Sequence, residues 1–119
     1  MSDDTISHEN VRASNVNETS VYNPQGDQLG HVDDIVIGKR DGRVKYAILS
    51  IGGFLGIGEE YHPIPWSELD YSESVNCFVI NRSREQLQGA PRFSAANEPD
   101  WMDRAYGERV SGYYGLPYV

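Results

Sequence analysis

A chain of 119 residues has room for one domain with one modest core, since a domain of this size buries roughly two-thirds of its unfolded surface. Its 18 acidic against 10 basic side chains give a formal charge of -8, which opposes a phosphate backbone because nucleic-acid affinity comes from clustered Lys and Arg. The single cysteine, Cys77, excludes an intramolecular disulfide and a Cys-rich zinc site, and no stretch approaches the roughly 20 apolar residues of a membrane span.

Residues 1–13 are polar and acidic, with only Ile6 and Val11 to bury, and are expected to form a flexible leader. They have neither the cationic start nor the apolar stretch of a signal peptide, so a soluble, cytoplasmic protein is expected. From Val16 short apolar runs alternate with Gly and Pro turns, as in a small antiparallel β domain. Val21-Tyr22 begins the first strand. Asn23-Pro24-Gln25-Gly26 is a turn in which Pro24 presets φ and Gly26 accepts a positive one. Leu29 to Ile37 returns as a second strand whose alternation breaks at Asp33-Asp34, a pattern that predicts a bulge or sharp bend. There the Asp34 carboxylate is placed to cap backbone N–H groups.

Asp41-Gly42 predicts a β-hairpin with a type I′ turn. In the third strand, Arg43 to Ile51, Val44, Tyr46 and Ile48 face one way and Ala47, Leu49 and Ile51 the other, so it is expected to be central. Gly52 to Gly58 is a glycine-rich loop. Tyr61 to Pro65 carries two prolines that confine it to an edge or strand end. Trp66 follows as an expected core anchor, and Ser67-Glu68-Leu69 reads as one helical turn. Cys77 to Asn81 is the last predicted strand, with Cys77 buried and inert. Ser83-Arg84-Glu85-Gln86 has the form of a capping box opening a short helix that ends at Gly89.

The succession Val21-Tyr22-Asn23-Pro24-Gln25-Gly26-Asp27-Gln28-Leu29-Gly30, Asp41-Gly42-Arg43-Val44-Lys45-Tyr46 and Ser50-Ile51-Gly52-Gly53-Phe54-Leu55-Gly56-Ile57-Gly58 closely resembles the PRC-barrel family. Ile64-Pro65-Trp66 and Glu85-Gln86-Leu87-Gln88-Gly89-Ala90-Pro91 fit the same pattern. The family is named for the cytoplasmic barrel of the photosynthetic reaction-centre H subunit, and this chain resembles its stand-alone bacterial members. The resemblance implies an all-β fold, a small antiparallel β-barrel over residues 14–93 with short helical turns, used for assembly and docking rather than catalysis. Residues 94–119 follow as an aromatic C-terminal tail, partly helical.

No catalytic, cofactor-binding or metal-binding residue is expected. The loop at Gly52 to Gly58 lacks the Lys-Ser/Thr ending of a phosphate-binding loop. His31, His62, Asp33, Asp34, Glu59 and Glu60 have no ligand spacing that unites them, and no serine or cysteine lies in a motif that places it beside a base. Phe54, Leu55 and Ile57 either plug a barrel end or form a partner-binding tip. In the tail, Asn97 is the expected N-cap of a helix reaching about Val110, and Trp101, Tyr106, Tyr113 and Tyr114 are candidates for protein contact. So aromatic a segment should dock on its own barrel, between the subunits of a homodimer, or on another protein. The expected function is a non-enzymatic protein-binding module. The alternative, a small-ligand barrel or an uncharacterised enzyme, requires a cavity with converging polar groups.

Overall fold

The computed structural model describes residues 10–51, 60–72 and 76–118. A four-residue helix, α1 (Ala13–Val16), brings Val16 into the core, and Thr19 Oγ1 donates to the Asn15 carbonyl as the chain turns into β1 (Ser20–Tyr22). The turn at 23–26 forms as its sequence predicts. Gly26 N–H donates to the Asn23 carbonyl, Asn23 Oδ1 accepts from Asp27 N–H at 2.9 Å, and Gly26 takes a φ of 92°.

Strand β2 (Gln28–Ile37) pairs antiparallel with β1 and with β3 (Val44–Ile51). The predicted irregularity is present: register shifts between Val32 and Asp34, which makes Asp33 the extra residue. Asp34 Oδ1 accepts from Ile35 N–H at 2.8 Å. The β2–β3 connection is longer than a two-residue type I′ turn. Gly38 N–H donates to the Arg43 carbonyl, and only Gly42 has positive φ, because the Asp41 side chain holds the loop by accepting from Arg43 N–H. Strand β4 (Glu60–Pro65) lies at one edge of the sheet, where a missing proline N–H costs no ladder bond. A 3₁₀ turn, Trp66–Glu68, leads into β5 (Leu69–Ser72), a short strand not predicted from the sequence, so Leu69 belongs to this strand and not to the helical turn. Strand β6 (Cys77–Ile80) precedes α2 (Arg84–Gln88), whose capping box forms in full between Ser83 and Gln86.

The six strands lie in the order β4-β3-β2-β1-β6-β5. Every neighbouring pair is antiparallel except β1 and β6, where Val21 lies beside Phe78 and Tyr22 beside Val79 in parallel. The sheet is therefore mixed and curls as a half-barrel, rather than closing as the antiparallel barrel expected from the sequence. The reason is that β6 reaches β1 through a long connection, and a long-range parallel pairing leaves no local turn signal. Strand β3 is paired on both sides, as its two apolar faces require, although β2 and β1 occupy the middle of the sheet.

Val21, Leu29, Val32, Ala47, Leu49, Ile64, Ile80 and Leu87 are all but completely buried. Trp66 is only half-buried and packs at the margin of this core, edge-on to Phe78 with ring centroids 5.6 Å apart. Gly30 is required by the close approach of β3, since a Cβ there would collide with the Ser50 carbonyl oxygen. Gly30→Ala is expected to lower stability by about 1 to 3 kcal/mol, because backbone cannot yield as a side chain does. A urea midpoint equal to the parent's would show that the two strands separate freely.

Candidate interaction surface

Strand alternation puts Ala47, Leu49 and Ile51 on one face of β3 and Tyr46, Ile48 and Ser50 on the other, and all but Tyr46 are buried. The tail lies against the second face. Tyr61 of β4 and Phe93 exchange two backbone hydrogen bonds of 2.9 Å, and their rings stand 5.6 Å apart. Phe93 meets Trp101 edge-on at 5.6 Å, and Trp101 in turn meets Tyr46 at 5.8 Å and Tyr106 at 6.1 Å. Trp101 Nε1–H donates to Glu98 at 2.6 Å, so the indole keeps a polar partner at its open edge. Arg92 pairs with Glu60 at 2.9 Å beside the Tyr61–Phe93 bridge.

Helix α3 (Arg104–Tyr113) follows, capped by Asp103, whose Oδ1 accepts from Ala105 N–H. The expected cap, Asn97, instead ends a 3₁₀ turn at Ala95–Asn97, so the helix starts later and reaches further than the sequence suggested. The shift has a local cause: Pro99 follows Glu98, and residues 98–103 are occupied by the Trp101 contacts and an Asp100 turn that caps Met102 N–H. Tyr106, Val110 and Tyr114 recur at helical spacing and enter the core as one stripe. Arg82 fixes the end of the helix: Nε pairs with Glu68 at 2.9 Å, Nη2 donates to the Tyr114 carbonyl, and the guanidinium lies over the Tyr114 ring. The hydrogen bond to Glu68 raises the Arg82 pKa further.

The four tail candidates thus have different positions. Tyr106 and Tyr114 are buried in their own chain, Trp101 is half-buried, and Tyr113 is 42% exposed while its hydroxyl donates to the Gln86 carbonyl. Phe54, Leu55 and Ile57 lie outside the described residues. Met102, 83% exposed, and Tyr118, 38% exposed, also face outward, and nothing in the sequence marks Met102 as a candidate. Burial pushes the phenol pKa of Tyr106 and Tyr114 up, and both hydroxyls are buried without a hydrogen-bond partner among the described residues. Tyr106→Phe and Tyr114→Phe are therefore expected to leave stability unchanged or raise it by about 1 kcal/mol. A loss of that size in thermal melts would mean that each hydroxyl has found a partner.

His62 of β4 is 2% exposed, with neither ring nitrogen bonded among the described residues. Burial lowers its pKa to about 4, with Glu60 opposing and Arg92 adding to the shift. Among the described residues no three His, Cys, Asp or Glu side chains converge as metal ligands, and no helix is long and apolar enough to cross a membrane.

The model of the PRC-barrel domain matches residues 8–87. The chain belongs to the PRC-barrel family. The family match begins inside the expected leader and ends within α2, so the tail that covers the outer face of this PRC-barrel domain lies beyond it. An uncharacterized protein of Deinococcus radiodurans is 32% identical over 104 residues, 81% of this chain and 34% of that protein. The chain thus spans about a third of the length of that relative.

Proposed function

We infer that this PRC-barrel chain is a non-enzymatic assembly module that binds another protein through the outward side of its tail. The observation that supports this reading is how the tail divides its apolar side chains. Tyr106, Val110 and Tyr114 serve the chain's own core, whereas Met102, Tyr113 and Tyr118 stay 83%, 42% and 38% exposed at the surface. Exposed aromatic and Met side chains are the types enriched at protein interfaces. The buried core of the curled sheet is mostly Leu, Ile and Val side chains, which offer no polar groups for a small ligand.

Affinity purification with the full chain as bait tests the reading. One protein recovered repeatedly by the parent, and lost with Met102→Ser plus Tyr118→Ser, is the expected result. Recovery of a small molecule without any protein would overturn it. Light scattering on the purified chain shows whether the partner is a second copy.

A further inference from the structure

The β2–β3 hairpin carries an unusual concentration of charge. Lys39, Arg40, Arg43 and Lys45 are four of the 10 cationic side chains, and they include every lysine in the chain. Segment 39–45 is thus net positive in a chain of formal charge -8. Of the other six, all but the exposed Arg12 have partners within the chain. Arg82 and Arg92 pair with Glu68 and Glu60, Arg84 donates to the Gln28 carbonyl, Arg104 pairs with Glu108, and Arg109 lies over the Tyr106 ring. Lys39, Arg40 and Arg43 are exposed, and their side chains have no partner among the described residues.

The one carboxylate in the loop does not neutralise them. Asp41 is engaged by Lys45 at 2.8 Å and by Arg43 N–H, contacts that hold the loop in one shape. Those bonds keep the Asp41 carboxyl below its usual range, with the Lys45 hydrogen bond the largest cause. The three free cations therefore project from a preformed turn, which lowers the ordering cost of binding. Ile37, 50% exposed, lies at the base of the hairpin. Along β3, Tyr46 stands three residues from Arg43, about 10 Å away at strand rise, and Tyr46 packs on Trp101.

We propose that Lys39, Arg40 and Arg43 form a docking site for a short acidic protein segment bearing an apolar residue that lies against Ile37. This deepens the assembly reading and rests on it. A bilayer or nucleic-acid duplex carries negative charge over a wide area and would meet the chain's surplus carboxylates as well as the tip. A short acidic segment engages the tip alone, which makes protein the partner class that charge complementarity favours.

Fluorescence anisotropy with a labelled Glu-rich peptide carrying one Leu tests the site on the full chain. The expected result is saturable binding that weakens with salt and falls about tenfold in Lys39→Ser/Arg40→Ser/Arg43→Ser. The variant's melting temperature, unchanged because these side chains are exposed, shows that the fold is retained. Equal binding by the variant, no binding by the parent, or tighter binding to phosphatidylserine vesicles or duplex DNA would overturn the proposal. None of these outcomes bears on whether Met102 and Tyr118 recover a protein, so failure of the docking site is distinguishable from failure of the assembly reading.

Discussion

Truncation after Asn97 is expected to lower the melting temperature by more than about 10 °C and to drive the fragment into association, because losing even 2 kcal/mol moves a small domain that far. The fragment loses Tyr106, Val110 and Tyr114 from its core, and each such loss costs about 2 to 5 kcal/mol when the site does not collapse. It also uncovers Tyr46, Tyr61 and Phe93, which now lie under Trp101 and its neighbours. These rings form one apolar patch on the outer face of β3 and β4, of the kind that promotes aggregation. Calorimetry and light scattering of the 1–97 fragment against the full chain provide the check. An equal melting temperature with an unchanged oligomeric state would mean that the tail contributes nothing to this fold.

The second large effect is expected on acidification. His62 is held neutral by burial, with a folded pKa of about 4 against 6.5 in the unfolded chain. Below pH 6.5 the unfolded state takes up a proton that the folded state refuses, so stability falls as pH drops and the loss levels off below about 4. The full interval corresponds to about 3 kcal/mol. Carboxylates also titrate in this range, so the informative quantity is the difference between the parent and His62→Leu, measured by urea unfolding across pH. The variant should gain on the parent by about that amount between pH 7 and pH 4. It should be no less stable at neutral pH, since it removes two unsatisfied buried nitrogens. Parallel pH profiles would show that the imidazole reaches solvent in the folded state.

Much of the fold is legible because its signals are local. The turn at Asn23 to Gly26, the bulge at Asp33, the prolines that put β4 at an edge and the Ser83 capping box each depend on residues a few positions apart. Strand β5 escaped because Leu69-Asp70-Tyr71-Ser72 alternates over only four residues directly after a helical turn. The parallel β1–β6 pairing escaped because nothing near Val21 in sequence points to Phe78. The candidate surface was partly legible for a related reason. Aromatic content shows that a tail packs somewhere, but which of Trp101, Tyr106, Tyr113 and Tyr114 turns inward depends on the phase of a helix whose start is set by Asp103. The two apolar faces of β3 were visible in the sequence, and the tail is what covers the second one.

The pairing of β1 with β6 also bears on how the chain folds. Strands β1 to β4 are made first and can zip together as neighbours, but β1 then keeps one open edge until β6 arrives nearly sixty residues later. Contacts of such long range slow folding, because the entropy of closing the loop must be met before the pairing rewards it. For that interval the nascent meander presents the unpaired edge of Val21 to any extended segment nearby. The β6 of a second copy, carrying Phe78 and Val79, matches that edge as well as the chain's own does. Crowded refolding should therefore yield strand-exchanged dimers built from native contacts, whereas dilute refolding should return the half-barrel with its own β6 in place.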